Sequence, residues 1–221
     1  MNRLIFLLSI AWLPVILPAQ VSSELKHEHF HGFSDFEVNE NDNSLASDKL
    51  DRYDVKYYKI DLEVNDTSTF ISGNTIVKTE IKEESIDTFV LELNTILTVD
   101  SVYINGIRHN FNHRDDLLII GLINDYGKGD LVTARVFYHG MAGESTNTGI
   151  FNQSHNQTDF RVTYTLSEPF ASKSWFPVKQ DLADKADSVE VYITVPEHLK
   201  AGSNGILQAV TSLNNGKIRY E

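Results

Sequence analysis

A single acidic residue stands in a predicted loop between two strands and could bind a cation. Glu168 directly precedes Pro169, and a bulky cluster from Ser174 to Pro177 follows a few residues later. A carboxylate on a rigid loop is well placed to recognise a charged group on a ligand, because loops held by a scaffold carry much of a protein's binding function. The alternative is a solvated glutamate, the common state of loop acids. The residue alone does not decide between these two roles.

The chain on either side of this acid must hold it in place. Residues Phe160–Leu166 are predicted to form the strand before the loop, and Ser188–Val195 the strand after it. The second strand is apolar at alternate positions, namely Val189, Val191, Ile193 and Val195. Trp175 and Phe176 are expected to fill the core rather than to stack on a ligand. Lys185 is expected to form an ion pair or to cover the sheet with its stem.

This region resembles the signature of the N-terminal domain of the aminopeptidase N family of zinc peptidases. The family's pattern runs T-Q-x-[EQ]-[AP], then A-R, then F-P-C-x-D-x-P-x-x-K-A, and ends in a strand with Val-Pro. The residues that match it in register are Thr165, Glu168, Pro169, Ala171, Phe176, Pro177, Lys185 and Ala186. The departures are Leu166 for Gln, Ser172 for Arg, Val178 for Cys, Gln180 for Asp and Leu182 for Pro, which indicate a divergent branch.

Weaker matches to the same family run along the chain from Tyr53 to Glu221 in the family's order. They are Phe70–Gly73, Leu91–Asn94 in place of L-x-L-[HN], Tyr138–Gly140 in place of Y-x-G, and Gly149–Phe151 in place of G-[FIL]-[FY]. Each is short, but together with the signature they make the resemblance specific. The resemblance therefore covers the chain from residue 52 onward.

The resemblance implies a role for Glu168 as a substrate ligand. In the family, the carboxylate at this position pairs with the free α-ammonium of a peptide, and an unusual cis peptide bond just after it aims the carboxylate into the cleft. Here the next residue is Pro169, for which a cis bond costs only about 0.5–1 kcal/mol. We therefore predict a cis Glu168–Pro169 bond that positions Glu168.

The resemblance also implies zinc-dependent removal of N-terminal residues from peptides, with the zinc held outside this chain. The family binds zinc through H-E-x-x-H and recognises the amine through G-x-M-E-N, and neither motif occurs here. We expect a catalytic domain after residue 221, with this domain capping its cleft, and we expect the 221-residue chain alone to be inactive and to bind no zinc. The alternative is a stand-alone secreted β-sandwich binding module, or a relative that has lost catalysis.

The rest of the chain predicts an all-β antiparallel sandwich, because short alternating segments recur with turn residues between them and no amphipathic helix interrupts them. Asn105-Gly106 is a hairpin signal, and Gly73 is predicted to lie at a β-bulge. The predicted strands are Tyr58–Val64, Phe70–Ile81, Phe89–Leu93, Leu97–Ile104, Ile107–Phe111, Leu117–Ile120, Val132–Tyr138, Phe160–Leu166, Ser188–Val195, Ile206–Leu213 and Lys217–Tyr220. The family's domain has the same saddle-like β-architecture.

The N-terminal region predicts export. Arg3, the apolar run Leu4–Leu17 and Ala19 together have the form of a cleaved signal peptide over residues 1–19, and a membrane anchor is the less favoured alternative because the run is barely long enough to span a membrane. Residues 20–51 are polar and are predicted to be a disordered leader. This leader contains His27, His29 and His31. Their alternate spacing permits metal binding, but the segment lacks the scaffold that an ordered metal site needs.

Composition narrows the partners. The chain has 19 basic and 31 acidic residues and a net charge of −12. Such a charge disfavours nucleic acid and anionic membranes, because both would be repelled. The chain has no cysteine, so an exported protein of this sequence must be stabilised by its core alone.

Overall fold

The computed structural model describes residues 48–145, 148–154, 160–168 and 170–221. The predictions for the signal peptide, for the leader as far as residue 47 and for His27, His29 and His31 lie outside these residues, as does the peptide bond to Pro169. Residues 48–50 form a helical turn, and Leu50 is buried in the core. No helix among the described residues is both long and apolar enough to cross a membrane.

The described chain is almost entirely β-structure, as predicted. One short 3-10 helix, Ser172–Ser174, lies between the eleventh and twelfth strands. The strands are β1 Tyr53–Glu63, β2 Phe70–Ile81, β3 Ile86–Glu92, β4 Thr98–Ile104, β5 Ile107–His109, β6 Phe111–Arg114, β7 Leu117–Tyr126, β8 Leu131–Met141, β9 Glu144–Ser145, β10 Thr148–Ser154, β11 Arg161–Leu166, β12 Ser188–Pro196, β13 Val210–Leu213 and β14 Lys217–Tyr220.

Eight strands form one large sheet in the order β13-β14-β12-β1-β2-β8-β4-β5. Its neighbouring strands are antiparallel except β1 and β12, which run parallel with Tyr58 opposite Val189 and Ile60 opposite Val191. The two are far apart in sequence, as a parallel pair requires a long crossover connection. Strand β12 therefore brings the chain after the Glu168 loop back to the centre of the sheet.

One face of the large sheet builds the core. Along β1, Tyr58, Ile60 and Leu62 are buried, as a period of two residues requires when one face is covered. The sheet β3-β7-β6 covers part of this face. The hydroxyl of Tyr53 on β1 donates to the carbonyl oxygen of Val90 on β3 at 2.7 Å, and the Tyr53 and Phe89 rings lie 4.7 Å apart.

A third sheet, β11-β10-β9, lies over another part of the same face. Ile150 on β10 and Trp175 beyond β11 line a small apolar space together with Ile60 and Leu62 of β1. The two small sheets thus cover the large one, and all three share one buried cluster. The Glu168 loop leaves from β11 at this covered face.

Several details of the sequence predictions differ from the structure. Gly73 is not at a bulge: it pairs in register with Leu62, at φ +154°, and a Cβ there would lie 2.1 Å from the carbonyl oxygen of Asp61. The predicted strand Ile206–Leu213 begins only at Val210, and Ile206 is 84% exposed. Strands β9 and β10 were not predicted. The hairpin at Asn105-Gly106 was predicted, and it joins β4 to β5.

Candidate functional site

Glu168 lies in the turn that follows β11, with its side chain exposed. Strand β11 is held against β10, and Leu166 at its end pairs with Gly149. Pro169 lies outside the described residues, so the cis bond stays a prediction. Phe170, the next described residue, is half exposed. The structure thus places Glu168, the predicted substrate-binding residue, at the surface, two residues after a fixed strand.

The base of this turn is tied to the core on its N-terminal side. The indole N–H of Trp175 donates to the side-chain oxygen of Ser167 at 2.9 Å, and the N–H of Ala171 donates to the Ser167 carbonyl oxygen at 3.1 Å. The hydroxyl of Ser174 closes the next turn by donating to the Ala171 carbonyl oxygen at 2.6 Å. Glu168 is therefore exposed on a loop whose two ends are fixed to each other.

Buried aromatic residues support the loop from below, as predicted for Trp175 and Phe176. Their rings lie 4.5 Å apart, and both residues are buried. The Tyr138 hydroxyl donates to the Trp175 carbonyl oxygen at 3.0 Å. Burial raises the pKa of the Tyr138 phenol well above its ordinary value, although its hydrogen bond with Thr75 acts in the opposite direction. The phenol therefore stays protonated and remains a donor to the loop.

The 3-10 helix after the turn is tied to the end of β3. The carbonyl oxygen of Lys173 accepts from the N–H of Asn94 at 2.8 Å, and the Lys173 ammonium lies 3.2 Å from the Asp116 carboxylate. Asp116 also accepts from the N–H of Thr95 at 2.9 Å. Burial acts to raise the Asp116 pKa, but this hydrogen bond and the Lys173 charge outweigh it, so that the pKa lies below its ordinary value.

The sequence analysis missed a buried ion pair in the same loop. The Lys179 ammonium contacts the Asp184 carboxylate and donates to the carbonyl oxygen of Tyr53 at 3.0 Å, and the Lys179 side chain is 1% exposed. Lys185, for which a structural role was expected, is exposed. Asp184 is only five residues away, but the Tyr53 carbonyl oxygen that also holds Lys179 is 126 residues away, and no local pattern marks this lysine as buried.

The described residues contain no group of three or more His, Asp or Glu side chains that could hold a metal. Two of the histidines are engaged with the backbone. His109 is buried beside the carbonyl oxygen of Ile107, 2.8 Å from Nδ1, and Nε2 of His113 lies 2.9 Å from the carbonyl oxygen of Leu93. The donor set that catalytic zinc needs is therefore not found in the described part of this chain.

A cavity of about 670 Å³ lies away from Glu168. It is lined by one stretch of β12 and by the loop before β13, including Tyr192 and Ile206. Glu168 does not line it.

Comparison with known proteins extends these observations. Residues 54–221 match the family described as the Peptidase M1 N-terminal domain. No curated protein matches the sequence significantly. Among solved structures, the M1 zinc metallopeptidase from Deinococcus radiodurans is similar with a TM-score of 0.67 and 22% identity, over 76% of this chain and 38% of that one.

Variants of such enzymes with bound molecules are similar to the same extent. A mutant two-domain M1 zinc metallopeptidase bound to L-arginine and a mutant of the Deinococcus radiodurans enzyme bound to a Tyr-Ser-Ala substrate each have a TM-score of 0.65 and 23% identity, over 76% of this chain and 38% of theirs. At these identities the likeness shows the fold. The chain spans less than half the length of these proteins.

Proposed function

Because the chain belongs to the M1 peptidase family, whose N-terminal domain it matches over residues 54–221, we propose that it acts as the N-terminal domain of a zinc-dependent aminopeptidase. In this proposal the domain caps the substrate cleft, and Glu168 binds the free α-ammonium of the peptide. The observation that carries the proposal is an exposed carboxylate, at the position of the family signature, on a loop fixed at both ends.

The chemistry of the bound molecules in the similar structures supports this role. L-arginine and a Tyr-Ser-Ala peptide each carry a free α-ammonium group. A fixed carboxylate recognises such a group by a charge-assisted hydrogen bond, which is stronger than one between neutral groups. A peptide bond inside a chain offers no ammonium to Glu168. Recognition by this residue would therefore favour removal of single residues from the N-terminus.

Glu168 requires a second surface to bind its ligand well. An ion pair in full contact with water contributes only about 0–1 kcal/mol, and Glu168 is exposed in this domain. Its contribution would rise when a catalytic domain covers it and excludes water. We assign the family's zinc to that catalytic domain, since the described residues here provide no ligand set for it, and we assign no chemical step to Glu168 itself.

The test is Glu168→Ala in the enzyme that includes the M1 catalytic domain. Loss of one partner of a desolvated charge pair costs about 2–5 kcal/mol, so kcat/KM should fall by roughly two to three decades. Glu168→Gln should be less harmful, because its amide oxygen still accepts a hydrogen bond. Thermal stability should not change. The matched control is Glu83→Ala, which removes an exposed acid far from Glu168 in the sequence. Unchanged kinetics for Glu168→Ala would show that the residue is a solvated loop acid and would refute its role as a substrate ligand.

We also propose that the protein is exported. The support is the form of residues 1–19, with Arg3 before an apolar run and Ala19 before Gln20. N-terminal sequencing of the protein made in its own host should find Gln20 as the first residue. An N-terminus at Met1 would refute cleavage.

A further inference from the structure

The first turn of the 3-10 helix beyond Glu168 is capped from a distant part of the loop. The first N–H groups of a helix have no acceptor within it, and the N-cap residue Ala171 supplies no side-chain acceptor. The Oε1 atom of Gln180 accepts from the N–H of Lys173 at 3.0 Å. Gln180 therefore does for this helix what a capping Ser or Asp does elsewhere.

Glu92, at the end of β3, holds the Gln180 side chain in the orientation that capping needs. Its Oε2 atom accepts from the Gln180 backbone N–H at 2.7 Å, and its Oε1 atom lies 3.4 Å from Gln180 Nε2. An ionised carboxylate only accepts hydrogen bonds. The amide nitrogen of Gln180 must therefore face Glu92, which leaves the amide oxygen for Lys173.

The backbone around this pair is fixed as well. Glu92 and Val178 exchange two backbone hydrogen bonds, of 2.8 and 3.0 Å. The side chains of Glu92 and Gln180 are half-buried, so that water competes only partly for their hydrogen bonds. A carboxylate at position 180 would meet the Glu92 carboxylate and be repelled. The two positions are thus matched to each other in charge and in hydrogen bonding.

We propose that Gln180 and Glu92 form a positioning pair for Glu168, an inference that rests on the proposed function of Glu168. The cap fixes Lys173, the helix fixes Ala171, and the Ala171 N–H holds the Ser167 carbonyl oxygen directly before Glu168. Gln180 itself does not touch the substrate. Without the cap, Glu168 samples more positions and binds the ammonium less tightly.

The experiment begins with amide hydrogen exchange on the 221-residue chain. Gln180→Ala removes the acceptor, so the Lys173 amide should exchange about five- to tenfold faster, the range that loss of one hydrogen bond gives. Gln180→Glu should do the same through repulsion by Glu92. The double variant Glu92→Gln with Gln180→Glu exchanges the two groups and can keep all three hydrogen bonds, so it should restore slow exchange. Gln208→Glu, at an exposed position, is the charge-matched control.

The same variants in the enzyme with its catalytic domain test the effect on binding. Gln180→Glu should raise KM for a peptide substrate about tenfold and change kcat less, because the ammonium contact serves the ground state and the transition state alike. The double variant should return KM to the wild-type value. A stability defect alone would lower the active fraction and with it the apparent kcat, and would leave KM unchanged.

The outcomes separate this inference from the proposed function. If Glu168→Ala raises KM but Gln180→Glu does not, Glu168 is the ligand and the positioning pair is refuted. If the Lys173 amide exchanges at the wild-type rate in Gln180→Ala, the cap is refuted whatever the kinetics show. If Glu168→Ala has no effect, the proposed function fails and the positioning role fails with it, even where hydrogen exchange confirms the cap.

Discussion

The indole N–H of Trp175 donates a 2.9 Å hydrogen bond to the side-chain oxygen of Ser167, the residue directly before Glu168. Trp175 is buried in the core that all three sheets share. The exposed carboxylate is therefore one residue away from a side chain that is fixed by the largest aromatic group of the described core. This contact therefore contributes both to the stability of the domain and to the position of Glu168.

Ser167→Ala should lower the free energy of unfolding by about 1–3 kcal/mol, because it leaves the buried indole N–H without its acceptor. Urea unfolding of the chain measures the difference. Ser203→Ala is the control, since Ser203 is exposed and its hydroxyl donates to the neighbouring carbonyl oxygen of Asn204. Its effect should stay within about 0.5 kcal/mol. Equal midpoints for the two variants would show that water replaces the Ser167 oxygen.

Lys179→Met should destabilise the domain by about 3–5 kcal/mol, because it leaves the buried Asp184 carboxylate without its cation. Adding Asp184→Asn should recover much of this loss, since the amide oxygen can still accept from the Val55 N–H. Lys128→Met, in an exposed turn, is the control for removal of a positive charge. Chemical denaturation of the wild type, Lys179→Met, the double variant and Lys128→Met measures these differences in stability. A double variant no more stable than Lys179→Met would show that Asp184 is not the cause.

Local patterns predicted the strands that are buried on one face. Strand β2 was predicted with its observed bounds, Phe70–Ile81, and burial alternates along it without a break from Thr75 to Ile81. Strand β7 was predicted to end at Ile120, but it continues to Tyr126. Most residues of that extension are exposed, and the pairing of Tyr126 with Ile86 holds its end. Backbone pairing without burial leaves no hydrophobic pattern in the sequence.

The contacts that fix the candidate site depend on residues far apart in the chain. Glu168 itself was found through the family signature. The partners that hold its loop were not, because Gln180 meets Glu92 across 88 positions and Lys179 meets the Tyr53 carbonyl across 126. The parallel pairing of β1 with β12 and the bridge between Glu92 and Val178 bring these segments together. No spacing rule within one segment predicts such contacts.

Two glycines with positive φ should respond very differently to alanine. Gly106→Ala meets no atom within 4 Å at φ +82°, so it should cost only the conformational strain of about 1–2 kcal/mol. Gly73→Ala places its Cβ 2.1 Å from the Asp61 carbonyl oxygen, so β1 and β2 must move apart. We expect Gly73→Ala to lower the melting temperature far more than Gly106→Ala, as measured by circular dichroism. Similar melting temperatures would contradict a close approach of β2 to β1 at Gly73.

The lowered pKa of Asp116 predicts a pH-dependent contribution to stability. A carboxyl group whose pKa is lower in the folded state stabilises that state when ionised. This contribution is complete well above the ordinary value of 3.8 and is lost as the pH falls through the lower folded value. Asp116→Asn suits the test, because Asn tolerates the positive φ of 58° and keeps an acceptor for the Thr95 N–H. The free energy of unfolding of the wild type should exceed that of Asp116→Asn at pH 6, and the difference should shrink from about pH 4 downward.

A second substitution separates the contribution of the Lys173 charge to this pH dependence from that of the Thr95 hydrogen bond. Lys173→Met removes the ammonium 3.2 Å from Asp116 but leaves the hydrogen bond from Thr95 in place. The difference in unfolding free energy that Asp116→Asn causes should therefore be smaller when Lys173 is also replaced, and its dependence on pH should be weaker. Urea unfolding of the wild type, the two single variants and the double variant between about pH 2.5 and 6 measures both effects. This interval spans about 1–2 units on either side of the ordinary pKa. A difference that does not vary with pH would show that Asp116 ionises equally well in the folded and unfolded chains.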